Sequence, residues 1–128
     1  MINWLGNKLK YLKYLEHYSE NFETVIDPMM GSGNVLTELI KDHKIIGSDI
    51  IKLMPNIYSN FSKFSFKEKD FKKVINKWEF NRKEQYYEFR EYWNKKYLQD
   101  NYDKNFLIET FLLFKMCSNN TVRTHFKQ

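Results

Sequence analysis

The sequence predicts an α/β fold in its first half and a helical part after it. Two short β-prone runs flank a glycine-containing turn and an amphipathic helix, the pattern that opens a doubly wound sheet. After residue 65, no segment alternates apolar and polar residues as a half-buried strand does. We therefore place a boundary near residues 62 to 70, with an α/β part over residues 1–64 and a helical part over residues 65–128.

The first predicted elements are a helix and a buried strand. Leucines recur at helical spacing between residues 8 and 18, which favours a helix there. The run from Thr24 to Ile26 is short and β-prone, and it ends at Asp27 and Pro28. We expect a buried strand that runs directly into a loop.

The next elements complete a strand–helix–strand unit. Gly31 and Gly33 open a helix, and a second strand over residues 44–48 ends at Asp49. The apolar stripe of the helix predicts its core face. That stripe consists of Val35, Leu36, Leu39 and Ile40.

The rest of the chain predicts helices. One is expected over residues 53–64, with Pro55 in its first turn, where proline is tolerated. Another carries Phe71, Val74, Ile75 and Trp78. Asn81 followed by Glu84 is typical of a capped helix start. Asp103 is positioned to cap a last helix that is apolar on nearly all sides and therefore central to a core.

Composition narrows the class of protein. The chain of 128 residues has a net charge of +5 and is rich in Tyr, Phe and Asn, a balance typical of a polyanionic partner. The charge alone fits a plain lysine-rich surface equally well. Cys117 is the only cysteine, so an internal disulfide is excluded and a cytoplasmic location is expected. The three histidines lack metal-ligand spacing, and no run has the ~20 apolar residues of a membrane span.

The glycine turn and Asp49 form the pattern of a nucleotide-type site. Paired glycines let the backbone approach a ligand, and an acid at the end of the second strand suits ribose hydroxyls. Leu36 stands where a dinucleotide fingerprint requires a third glycine, and no Gly-Lys-Ser/Thr is present. S-adenosylmethionine fits better, because it has no phosphate and its ammonium can pair with Asp27. The alternative is a turn that binds no ligand.

Five landmarks in order resemble DNA adenine methyltransferases of the Dam type. The opening W-x-G-x-K, the D-P-x-x-G-x-G loop and an acid after the second strand are present in the first half. A Y-Y-x-x-R-x-x-x-N helix and an N-x-x-x-R loop follow. These landmarks are Trp4 to Lys8, Asp27 to Gly33, Ser48-Asp49, Tyr86 to Asn94, and Asn119 to Arg123.

The resemblance implies a fold, a cofactor and site residues. The fold is a partial Rossmann-like methyltransferase sheet followed by a helical target-recognition domain, and the partners are S-adenosylmethionine and double-stranded DNA. A role in restriction–modification is implied as well. Residues implied for the cofactor are Trp4, Gly6, Lys8, Asp27, Pro28, Met29, Gly31, Gly33, Asp49 and Ile50. Residues implied for DNA are Asn119, Asn120, Thr121 and Arg123.

The sequence departs from the family pattern in several places. Met29 replaces the usual Phe, Ile51 the usual Asn, and Asn120 the usual Gly. The catalytic Asp-Pro-Pro-Tyr is missing, because the single Asp-Pro belongs to the cofactor loop. We therefore expect no catalytic residue and no activity of the chain alone. The first strand would then have an open apolar edge, so we expect a complementing C-terminal methyltransferase segment or a homo-oligomer.

Two other classes of function remain open at this point. In one, the helical half binds DNA without catalysis and the cofactor loop is vestigial. In the other, the chain is a structural or interaction protein whose glycine loop is only a turn. Cofactor binding separates the first of these from the methyltransferase hypothesis, and DNA binding separates the second from both.

Overall fold

The computed structural model describes residues 8–80 and 83–116. The chain divides into two compact units, Met1–Asn56 and Ile57–Gln128. This division falls inside a helix, several residues before the predicted boundary. The assignment of residues 1–64 to cofactor binding and of residues 65–128 to DNA recognition stays a prediction.

The first unit alternates helices and strands. A 3₁₀ turn (Lys8–Tyr11) leads into α1 (Leu12–Ser19), so the predicted first helix is present with a tighter opening turn. Strand β1 (Thr24–Asp27), helix α2 (Asn34–Leu39) and strand β2 (Lys44–Gly47) follow. Helix α3 (Leu53–Phe61) begins in this unit and ends three residues before the predicted end.

Strands β1 and β2 form a parallel pair, which confirms the α/β prediction. Thr24 pairs with Lys44, and Asp27 pairs with Gly47. The crossover helix α2 connects them, as parallel strands require. In the described part of the chain the sheet has two strands. A wider doubly wound sheet stays a prediction.

Burial in the first unit follows the predicted stripe with one exception. Val35, Leu36 and Leu39 are buried, but Ile40 is 64% exposed. The expectation for Ile40 was wrong: it is the C-cap residue of α2 and keeps helical dihedral angles, but its side chain lies on the surface. Gly47 packs closely against α2, since a Cβ there would lie 2.5 Å from Leu36 Cδ1 and would force that side chain to shift.

Three helices of the second unit account for the predicted helical part. They are α4 (Glu68–Trp78), α5 (Lys83–Leu98) and α6 (Lys104–Met116). Asp103 caps α6 as predicted, because its Oδ1 accepts a 2.7 Å hydrogen bond from the Phe106 N–H. The predicted cap Asn81 lies outside the described residues.

The core of the second unit is built from stacked aromatic rings. Trp93 is fully buried, and its ring stacks on Tyr97 and on Phe106 at centroid distances of 5.5 Å. Its Nε1–H donates a 2.8 Å hydrogen bond to Thr110 Oγ1. Helix α6 is buried along most of its surface as predicted, with Phe111 47% exposed as an exception.

No helix within residues 8–80 and 83–116 combines the length and the apolar character needed to cross a membrane.

Candidate functional site

The loop between β1 and α2 depends on two glycines. Gly31 and Gly33 have φ angles of 55° and 71°, in the left-handed region where side chains with a Cβ are disfavoured. Met30 is 7% exposed and anchors the loop. Its N–H donates a 2.9 Å hydrogen bond to the Ser48 carbonyl, directly after β2. The sequence therefore specifies both the turn and its attachment to the second strand.

The structure brings this loop and Asp49 together. Asp49 Oδ2 accepts a 2.8 Å hydrogen bond from the Gly31 N–H, and Oδ1 accepts a 2.9 Å bond from the Ile51 N–H. Both carboxylate oxygens keep lone pairs beyond these bonds, because a carboxylate offers about four acceptor sites. Asp49 is thus fixed in orientation and still able to accept hydrogen bonds from a ligand.

The amide groups of the loop are largely used within the protein. The Met29 N–H donates to Asp27 Oδ1 at 3.0 Å, and the Gly33 N–H donates to the Met30 carbonyl at 2.9 Å. Together with the bonds of Met30 and Gly31, four N–H groups of this loop are engaged. A phosphate cradle needs such groups free and convergent. The loop geometry is therefore unlike a phosphate-binding loop.

Lys8 and Asp27 form an ion pair beside this loop. Lys8 Nζ lies 2.6 Å and 2.9 Å from the two Asp27 carboxylate oxygens and donates to the Met29 carbonyl at 2.6 Å. The Asp27 side chain is 16% exposed and that of Lys8 is 37% exposed. The predicted partner of a ligand ammonium thus already holds an ammonium of the protein. Sequence reasoning grouped these two residues but did not foresee their pairing.

The remaining predicted cofactor residues in the described part are accessible. Met29 is 73% exposed and Ile50 is 96% exposed, and Pro28 is exposed beside them. Trp4 and Gly6 lie outside the described residues. So do the predicted DNA contacts, which are Asn119, Asn120, Thr121 and Arg123.

A groove of 410 Å³ lies against β1 on the side of α1 and α2. Its lining is mostly apolar, with Phe22 and Val25 among the contributors, and it includes Lys8 and Asp27. Gly31 and Asp49 are not part of it. The groove and the glycine loop therefore meet at the Lys8–Asp27 pair but are separate features.

One edge and one face of the described sheet are uncovered. The Glu23 and Asp27 carbonyls accept hydrogen bonds from the β2 side, so the intervening Thr24 and Ile26 direct their backbone groups to the other edge. Ile26 is 65% exposed, and Ile46, its partner in register, is 48% exposed. Within the described ranges, no strand pairs with this edge of β1.

In the second unit, the Y-Y-x-x-R motif forms a stack on α5. The Arg90 guanidinium carbon lies 5.9 Å from the Tyr86 ring centroid and 5.1 Å from that of Tyr87. Tyr87 is 42% exposed. The motif residues therefore bind one another on a partly exposed surface of the helix.

Comparison with known proteins gives the family. The family model of D12 class N6 adenine-specific DNA methyltransferases matches residues 4–128. The chain belongs to this family. No curated protein and no solved structure matched it. Methyltransferases of this family act on adenine in DNA and generally use S-adenosylmethionine as the methyl donor.

Proposed function

We propose that this methyltransferase chain binds S-adenosylmethionine through its glycine loop and Asp49. The engaged amides of the loop carry the proposal. They leave few free N–H donors for a phosphate group, and S-adenosylmethionine contains no phosphate. The remaining acceptor sites of the half-buried Asp49 carboxylate suit ribose hydroxyls, and Asp27 supplies the negative charge for the methionine ammonium. Ile50, being almost fully exposed, offers an apolar surface to the adenine. The residues present therefore fit the cofactor, which supplies the methyl group when bound.

Calorimetric titration tests this assignment. We expect saturable heat with S-adenosylmethionine and none with a nicotinamide dinucleotide. An Asp49→Asn variant keeps the shape of the side chain but removes its charge, so we expect roughly tenfold weaker binding, about 1.4 kcal/mol. Asp42→Asn is the matched control, because Asp42 is an exposed acid of the same unit that has no role in the loop. Equal effects of the two substitutions would refute the role of Asp49.

We propose that the chain also binds double-stranded DNA, through its helical part and the segment from Asn119 to Arg123. Family membership and the net charge of +5 support this proposal. An Arg123→Ala variant should bind duplex DNA more weakly, as measured by the salt-dependent mobility shift of the duplex. An unchanged shift would remove Arg123 from the interface.

We further propose that methyl transfer requires a segment that carries an additional strand and the Asp-Pro-Pro-Tyr motif, which the sequence lacks. The open edge of β1 and its apolar groove support the addition of a strand there. Purified chain should therefore transfer no labelled methyl group to DNA, and activity should appear with such a segment. Transfer by the chain alone would refute this.

A second candidate is a DNA-binding module with a vestigial cofactor loop. The Lys8–Asp27 ion pair favours it, because the carboxylate expected to meet the cofactor ammonium is already paired. The calorimetric titration distinguishes the two, since the module predicts DNA binding without cofactor heat.

A further inference from the structure

A basic pocket of 360 Å³ lies between α4, α5 and α6. Its polar and aromatic lining residues are Lys73, Lys77, Tyr92, Lys96, Asn105 and Glu109. Three lysines share the pocket with a single carboxylate, so the lining carries an excess of positive charge. This pocket is in the second unit and contains none of the cofactor or DNA residues that the family resemblance implies.

The carboxylate and one lysine of the pocket neutralise each other. Lys96 Nζ lies 3.0 Å from Glu109 Oε2, and the Glu109 side chain is 3% exposed. Burial opposes the charge on Lys96, but the hydrogen bond and charge of Glu109, together with the charge of Asp103 at 3.8 Å, outweigh it and raise the pKa of Lys96. Lys96 therefore stays protonated beside Glu109 and serves to join α5 to α6.

Lys73 and Lys77 are the two pocket lysines that the Glu109 carboxylate does not neutralise. Within the described ranges neither forms an ion pair, whereas Lys72 and Lys104 are paired with Glu68 and Asp70. Lys77 Nζ lies 4.9 Å from the Tyr92 ring centroid, which holds it over the pocket wall. Residues four apart on a helix lie on one face, so the ammonium groups of Lys73 and Lys77 can both contact one anionic group of a ligand.

We propose that this pocket binds a backbone phosphate of DNA, held between Lys73 and Lys77 with the Asn105 amide as a further donor. The inference rests on the proposed DNA-binding function and locates one of its contacts. A compact lysine ammonium is a common phosphate binder, and phosphate contacts orient a protein on DNA without reading its sequence. The pocket therefore contributes affinity and position but not site specificity.

The test compares two double variants with the same change of charge. The Lys73→Gln/Lys77→Gln variant replaces both pocket lysines that form no ion pair with neutral glutamines. In Lys69→Gln/Lys95→Gln, one exposed lysine of α4 and one of α5, both outside the pocket, are replaced instead. Binding to a labelled duplex is measured by fluorescence anisotropy over a series of salt concentrations. Losing one phosphate contact should reduce the salt slope by about 0.9 in the pocket variant, and the control should change by less than half of that.

The outcomes separate the two proposals. Equal slopes for both variants would overturn the pocket and leave DNA binding intact. No binding of duplex DNA by the unaltered chain would overturn both. Circular dichroism of each variant verifies the helical fold, and neither pair of residues is buried.

Chemical acetylation of the unaltered chain provides a second readout. Duplex DNA should protect Lys73 and Lys77 from acetylation, as measured by mass spectrometry, and should leave Lys69 and Lys95 reactive. Unchanged reactivity of the pocket lysines would refute the contact. Equal protection by inorganic phosphate alone would identify a small-anion site and overturn the assignment to DNA.

Discussion

The two units stabilise their structures in different ways. The helical unit buries large rings against one another, and Phe89, Trp93 and Phe106 are each 0% exposed. The α/β unit arranges its site with backbone hydrogen bonds and leaves Tyr18 73% and Phe22 64% exposed. The helical unit thus buries its largest rings in its own core, although Leu98 and Phe111 stay exposed, while the α/β unit leaves large rings such as Tyr18 and Phe22 on its surface. Exposed apolar patches of this kind mark interaction sites.

The largest expected effect concerns the helical core. Trp93→Ala removes a fully buried ring and leaves Thr110 Oγ1 without its donor from the indole, so we expect unfolding to become easier by about 3–5 kcal/mol. Amide hydrogen exchange measures the loss of stability separately in each unit. Amides of α5 and α6 should lose protection most, whereas Leu98→Ala, at a position 77% exposed, should change little. Equal loss in β1 and β2 would contradict the contrast between the units.

Packing in the α/β unit is tested at Gly47. Gly47→Ala places a Cβ 2.5 Å from Leu36 Cδ1 and 2.8 Å from Met30 Sδ, so both side chains must move. Overpacking of this kind costs about 1–3 kcal/mol. Denaturant unfolding should show less than additive effects when Gly47→Ala is combined with Leu36→Val. Full additivity would mean that the clash with Leu36 is relieved elsewhere.

The exposed face of the sheet is tested with a matched pair of isoleucines. Ile26 on β1 is 65% exposed and Ile40 after α2 is 64% exposed. If β1 recruits a further strand, Ile26→Lys should weaken association by roughly tenfold, about 1.4 kcal/mol, because a charge on an edge strand opposes pairing. Ile40→Lys should leave it unchanged. Light scattering measures self-association, and a monomer at high concentration would contradict self-pairing.

The smallest expected effect is a pH dependence in the helical unit. The Lys104 ammonium and the Lys67 N–H hold the pKa of Asp70 below its ordinary value of 3.8. A lowered carboxyl pKa stabilises the fold above the ordinary value, and the stabilisation disappears as pH falls through the lower, folded-state pKa. The difference in unfolding midpoint between the unaltered chain and Asp70→Asn should therefore be full at neutral pH and vanish in strong acid. A difference that is independent of pH would contradict this.

Local signals in the sequence predicted much of the fold. The cap at Asp103, the buried stripe of α2 and the meeting of the glycine loop with Asp49 depend on residues close in sequence or on adjacent strand ends. The stripe failed only at Ile40, the C-cap residue of α2, because periodicity gives the face of a helix but not how far along the helix that face is covered.

Contacts across long sequence separations were not predictable in the same way. Lys8 and Asp27 are 19 residues apart, and Lys96 and Glu109 are 13 apart on different helices. Each pair consists of common charged residues whose spacing matches no periodic pattern. Only the three-dimensional arrangement shows that these charges are already partnered, and the free lysines of the pocket are recognisable only by that contrast.

The salt bridge between Lys8 and Asp27 has a thermodynamic consequence for any cationic ligand of this carboxylate. Where such a ligand displaces Lys8, its entry is an exchange in which one ammonium leaves as another arrives, and the measured affinity is the difference between two attractions of similar kind. Part of the incoming attraction is offset by the lysine that is released, which then becomes available to an anionic group of the same ligand.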